Sequence, residues 1–171
     1  DEALGLPPSP PPDLPGLPQG AVPYLPCGVE EILAMVSEAP LRAGDALVDL
    51  GSGLGRVVML AHLLTGARAV GVEVQGHLVE SARRHAGALG LDAVSFVHAN
   101  AADVELDGSV FFLYAPCNGE LLERVLGRLG DVARRRQIIV ACVDLELGVP
   151  WLARRGSRCA SLALYDSVTP P

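Results

Sequence analysis

Apolar and polar positions follow two rhythms along this chain. Val29, Ile32, Leu33 and Val36 recur at helical spacing, with Glu30, Glu31 and Glu38 elsewhere, and Pro40 ends the predicted helix. Residues 46–50 (Ala-Leu-Val-Asp-Leu) form a short apolar run of the kind a buried strand needs. Glycines follow, then a predicted helix from Arg56 to about Thr65. The same succession repeats downstream. Residues 69–73 read as a strand, 76–89 as a helix, 94–98 as a strand, 109–114 as a strand, 120–129 as a helix and 137–143 as a strand. A last strand over 161–165 is compatible with an antiparallel edge. Strands alternating with helices imply βαβ units and a mostly parallel sheet. The strands are near-continuously apolar, as expected where helices cover both faces. Right-handed crossovers put the strand C-termini on one rim, where open α/β sheets bind ligands.

Residues 1–23 break both rhythms. Prolines at 7, 8, 10, 11, 12, 15, 18 and 23 remove amide donors and favour extended polyproline geometry. This segment is expected to be a disordered or surface-draped tail, followed by a single domain over 24–171. At 171 residues the chain fits one domain with a core of its own.

The sharpest local signal is residues 48–56, Val-Asp-Leu-Gly-Ser-Gly-Leu-Gly-Arg, between the first strand and the next helix. Glycines here admit positive φ and let a ligand approach the backbone. The dinucleotide fingerprint requires G-x-G-x-x-G, whereas Arg56 stands where its third glycine belongs. A phosphate-binding P-loop is excluded, because the chain has no lysine. Asp49 precedes Gly51 by two positions; an acid there repels pyrophosphate and suits an amine-bearing ligand. Glu73 closes the second strand, 22 residues after Gly51, where a carboxylate can accept from both hydroxyls of a ribose.

The pattern D-x-G-x-G-x-G resembles motif I of the class I methyltransferases, which use S-adenosylmethionine. The resemblance implies a Rossmann-like fold in which Asp49, Gly51, Ser52, Gly53 and Gly55 wrap the amino-acid end of the cofactor. It also implies that Glu73 and Val74 take the ribose side. Residues 96–101 (Phe-Val-His-Ala-Asn-Ala) are similar to the segment that usually reads F-V-x-G-D-A. Asn100 then stands in the place of the acid that meets the adenine amino group, with Ala101 beside it; Asp103 is the alternative partner. Residues 23–27 (Pro-Tyr-Leu-Pro-Cys), with the glycine loop and the V-G-V-E strand end, resemble the small protein-lysine methyltransferases. These are the archaeal broad-specificity enzymes and the type acting on the ATP synthase c subunit. The glycine loop is also similar to that of the Dot-type histone lysine methyltransferases. The resemblance covers residues 23–100 and fades beyond. It places Tyr24 and Cys27 near the cofactor, with Cys27 where a small hydroxyl residue is usual.

The fourth strand ends Tyr114-Ala115-Pro116-Cys117, which departs from the [DN]-P-P-[YF] of base amino-methylases. Tyr114 falls on the rim, where its hydroxyl and ring suit an amine or methyl cation. Tyr24 suits the opposite wall by the same reasoning. The implied reaction is in-line transfer of the sulfonium methyl, with a protein lysine as first choice of acceptor. A small molecule is the near alternative, and a non-catalytic cofactor-binding module a third reading. Glu73→Ala is expected to weaken cofactor binding without unfolding the protein.

Charge narrows the partners. The 13 basic residues are all arginine against 20 acids, a net charge of −7, which argues against a nucleic-acid substrate. Four cysteines without CxxC spacing fit a reduced, cytoplasmic protein. No membrane span or secretory signal is visible, and no His, Asp or Glu cluster has metal-ligand spacing. Oligomeric state is not legible.

Overall fold

A computed structural model describes residues 1–168; the last three residues of the expected 24–171 domain lie outside them. A short 3-10 turn at Glu2–Leu4 precedes α1 (Val29–Glu38), β1 (Ala46–Leu50), α2 (Arg56–Thr65), β2 (Arg68–Glu73) and α3 (Gly76–Ala88). Then come β3 (Val94–His98), β4 (Val110–Tyr114), α4 (Gly119–Ala133), β5 (Ile139–Val143), β6 (Leu152–Arg155) and β7 (Leu162–Ser167). The strands form one seven-stranded sheet in the order β3-β2-β1-β4-β5-β7-β6. The first five in that order are parallel, and β7 and β6 add on antiparallel. Chain order reverses between β1 and β4, so the switch point of the sheet lies beside the C-terminal end of β1.

Strand periodicity assigns each side chain to a face. Leu47, Val110 and Phe112 join the core under α1, α2 and α3, together with Ile32, Met35, Met59 and Leu78. Val48, Leu50, Phe111 and Leu113 join the opposite core, against Leu121, Val125 and Leu129 of α4. Only α4 covers that second face as a helix, and the β3–β4 connection supplies the rest through buried Ala102 and Leu106. Asp49 follows the parity of Leu47 and lies on the three-helix face. It is the one acid within β1, and it is 2% exposed. Among the described residues, no helix is long and apolar enough to cross a membrane.

Two sequence expectations change. The strand β6 was missed, because Leu-Ala-Arg-Arg lacks the apolar run of a buried strand and sits at the sheet edge. The proline-rich segment is more than a tail. Leu4 and Leu6 are buried in the three-helix core, at 4% and 7% exposure. Asp1 forms an ion pair with Arg56, and the isolated bridge Ala21–Cys117 pins the far end of the segment beside β4.

Candidate active site

The loop from β1 to α2 is held by the neighbouring strand. Gly51 and Ser52 both donate their amides to the Val72 carbonyl, at 2.8 and 3.1 Å. The turn needs glycine where other groups press on it. At Gly53, φ is +52°, and a Cβ would sit 1.9 Å from the Tyr24 ring. At Gly55, φ is +80°, and a Cβ would meet the Phe96 ring at 2.4 Å. The backbone is thus clamped between aromatic rings in a conformation that L residues rarely adopt.

Glu73 is buried at the end of β2. One carboxylate oxygen accepts from the Gly53 amide at 2.9 Å, the other from the Gln75 amide at 2.8 Å. Asp49 lies deeper. Burial, and next the Glu73 charge, push its carboxyl well above the usual carboxylate range. Ser52 Oγ is buried without a hydrogen-bond partner among the described residues.

A cleft opens over the switch point, at the C-terminal ends of β1, β2 and β4. Gly51, Glu73, Val74, Asn100, Ala101, Tyr24 and Tyr114 all line it, so the structure brings these expected residues together. Asp49, Ser52, Gly53, Gly55 and Cys27 do not line it; they form the loop and the layer beneath. Asn100 Oδ1 accepts from the Ala102 amide at 2.9 Å, which fixes the side chain in its own turn and leaves one lone pair free. Asp103 is set aside: it forms a surface ion pair with Arg124 and is absent from the cleft wall. The Cys27 thiol is buried and pushed up to about 12, first by burial and then by Asp49 and Glu31, so it is an inert thiol. Its carbonyl accepts from Arg56 Nη1 at 2.6 Å. Tyr24 is half-buried; burial raises its phenol, and the Leu54 amide hydrogen-bonded to it acts the other way.

Several residues of the site were not anticipated. Gln75 is 5% exposed and lines the cleft, as do Pro18, Ala21, Val22 and Leu25 from the N-terminal segment. At the rim, β4 and β5 leave the sheet side by side through Ala115 and Asp144, both with positive φ, +36° and +51°. Such strain in non-glycine residues concentrates at functional sites. Nothing in the sequence signals it, because neither alanine nor aspartate in a loop announces its φ. Tyr114 precedes the first of these residues. Burial raises its phenol, and the carboxylates of Asp144 and Glu31 add to the shift.

Residues 41–111 match the family model described as a methyltransferase domain. No curated protein matches the sequence. An RNA methyltransferase from Salinibacter ruber, solved with S-adenosyl-L-homocysteine, superposes with a TM-score of 0.67 at 27% identity, covering 85% of this chain and 94% of that one. The fold is that of a class I methyltransferase. A SAM-dependent methyltransferase from Thiobacillus denitrificans, also with S-adenosyl-L-homocysteine, gives 0.53 at 23% identity over 67% of this chain and 48% of that one. A variant of MtNAS in complex with S-adenosylmethionine gives 0.64 at 17% identity, over 83% and 63%. These likenesses show the fold, and the cleft of this chain lies at its β1–β4 switch point.

Proposed function

We propose that this chain is a SAM-dependent methyltransferase whose acceptor is a protein lysine amine. The observation that carries the cofactor is the buried Asp49 beneath a clamped glycine loop, its carboxyl held well above the usual carboxylate range. A carboxylate in that position has lost its water and gained no cation, and an ammonium group at the loop supplies one. Glu73 fits as well. A carboxylate offers about four lone-pair sites, and the Gly53 and Gln75 amides use two of them, leaving two for the ribose hydroxyls. Asn100 and Ala101 stand at the adenine end of the cleft.

The cofactor supplies an electrophilic sulfonium methyl, so the protein's work is placement and exclusion of water. Tyr24 and Tyr114 both line the cleft, from the N-terminal segment and from β4. The raised Tyr114 phenol keeps its proton at neutral pH, so Tyr114 orients an acceptor and does not act as a base. Asp144 and Glu31 give this edge a negative potential that draws a cationic side chain. A lysine ammonium has an ordinary pKa of about 10.4 and must lose its proton before it attacks; its desolvation between the two rings favours that loss.

A nucleic-acid acceptor is the second reading, favoured by the Salinibacter ruber RNA methyltransferase at 27% identity. Against it, the arginines of α4 and its end are largely paired: Arg124 with Asp103, Arg134 with Asp131, and Arg136 with Asp107. Incubation with tritiated S-adenosylmethionine and a lysate, separated into protein, RNA and small-molecule fractions, decides among the acceptors. Label in protein that survives mild alkali and is recovered as methyl-lysine is expected; label confined to RNA or to small molecules overturns the lysine reading.

A further inference from the structure

The N-terminal segment crosses the mouth of the cleft and is held there at two points, a backbone bridge to the end of β4 and a side-chain clasp at Asp13. Its two ends are fixed. Leu4 and Leu6 are buried in the core, and Arg56 bonds both to Asp1 and to the Cys27 carbonyl. Between those anchors the chain passes over the rim, and Pro18, Ala21, Val22 and Pro23 face into the cleft. Its eight prolines at 7–23 leave few amides with which to bond the domain. The contacts it does make are concentrated at two points. Val22 donates to the Pro116 carbonyl and Gly20 accepts from the Asn118 amide, at 3.0 and 2.8 Å. The other point is Asp13. Its Oδ1 accepts from the Tyr24 amide at 3.0 Å and from Gln75 Nε2 at 2.6 Å, while Gln75 Oε1 accepts from the Leu14 amide at 3.1 Å.

Gln75 is the hinge of this arrangement, because its backbone amide also bonds Glu73, the ribose acid. A continuous chain of hydrogen bonds therefore runs from Asp13 on the strap, through Gln75, to Glu73 and on to Gly53. The Gln75 amide bond to the acid and the side-chain clasp both depend on where Gln75 sits, at the N-terminal cap of α3.

Resting on the cofactor assignment above, we propose that residues 7–25 form a lid over the cofactor cleft, that the Asp13–Gln75 clasp latches it, and that the cofactor enters and leaves when the latch opens. Asp13 and Gln75 are thus positioning residues for the reaction. The anchors at Leu4, Leu6 and Arg56 keep the strap attached when it lifts. The prolines keep the lifted segment extended, so that little backbone freedom is lost when it closes again. Tyr114, on the acceptor side of the cleft, takes no part in the clasp.

A latch differs from a cofactor contact in what its loss changes. Asp13 is not among the residues lining the cleft, so removing its carboxylate lowers the barrier to both entry and release. Asp13→Ala is expected to release tritiated S-adenosyl-L-homocysteine about tenfold faster than the parent protein, the effect of losing charged hydrogen bonds. Its association rate rises in parallel, so Kd moves by less than about threefold. Asp13→Asn keeps the accepting oxygen and stays within about twofold of the parent release rate. Leu14→Pro removes only the second bond of the clasp and falls between the two. Amide exchange over residues 13–25, measured with S-adenosyl-L-homocysteine bound, becomes faster in Asp13→Ala and remains slow in Asp13→Asn. Unchanged release from Asp13→Ala and Leu14→Pro, with the parent protein binding normally, overturns the latch and leaves the cofactor assignment standing. Failure of the parent protein to bind S-adenosyl-L-homocysteine overturns both.

Discussion

Glu73 Oε2 accepts a hydrogen bond from the Gly53 amide at 2.9 Å, tying the end of β2 to the middle of the glycine loop. The acid that is to hold a ribose therefore also builds the loop that is to hold the amino-acid end. The same carboxylate takes the Gln75 amide. Sequence alone predicts that Glu73→Ala weakens binding without unfolding. The two buried amides add a stability effect, because each left unpaired costs about 1–3 kcal/mol. Glu73→Ala is expected to lose about 2 kcal/mol of unfolding free energy in urea and at least about tenfold in S-adenosyl-L-homocysteine affinity. Glu73→Gln keeps one acceptor oxygen and should fall between the two in both measurements.

Gly53→Ala tests the clamp. The added methyl would meet the Tyr24 ring at 1.9 Å, on a backbone already at φ +52°. The ring must move, and with it the wall of the cleft. Calorimetry is expected to show no S-adenosyl-L-homocysteine binding by Gly53→Ala. The double variant Gly53→Ala with Tyr24→Ala removes the collision and leaves only the backbone strain of about 1 kcal/mol, so it should regain part of the lost thermal stability. Recovery to the level of Tyr24→Ala alone would show that the ring, not φ, sets the requirement for glycine.

Much of this was legible in the chain, for a physical reason. Residues 46–50 and 69–73 are apolar because both faces of a parallel strand are covered, and the observed β1 and β2 match them to within one residue. The glycine loop was legible because positive φ and close contact leave few alternatives to glycine. What could not be read depends on distant partners. Gln75 looks like any polar residue at a helix start; its burial follows from Asp13 and Leu14, 62 and 61 residues earlier. The prolines of 1–23 correctly exclude regular structure, but proline content does not reveal that Leu4 and Leu6 reach the core. Asn100 was read as an adenine partner from its position alone, and its bond to the Ala102 amide appears only in the folded turn.

The raised carboxyl of Asp49 makes stability depend on pH in a definite sense. An acid whose pKa is raised on folding favours the folded state while it is protonated, below its ordinary value of about 3.9. That contribution is lost as pH rises through the raised folded value. Without cofactor, the parent protein should therefore lose stability relative to Asp49→Asn on going from acid to neutral pH. Melting curves across this range are expected to show Asp49→Asn several degrees more stable at neutral pH, with the difference closing in acid. The same variant should bind S-adenosyl-L-homocysteine more weakly, since the acid that burdens the empty fold is the one proposed to meet the ammonium. A variant that is less stable at every pH would mean that Asp49 has a structural cation-independent role.

Tyr114, proposed to face the acceptor, offers a test that separates acceptor from cofactor. Its hydroxyl has no hydrogen-bond partner among the described residues, and its ring packs on the three-helix core at the end of β4. Removing the oxygen therefore leaves no orphaned group behind and does not disturb the fold. Tyr24 differs, because its ring lies against Gly53 of the glycine loop. Tyr114→Phe should leave S-adenosyl-L-homocysteine affinity within about twofold and lower kcat by about tenfold, the size expected when one orienting contact to the acceptor is lost. Tyr24→Phe should lose cofactor affinity first, since its phenol sits against the loop that is proposed to hold the cofactor. Steady-state kinetics on the labelled acceptor fraction, alongside calorimetry, separates the two effects. Equal losses of affinity and turnover in Tyr114→Phe would move that tyrosine to the cofactor side of the cleft.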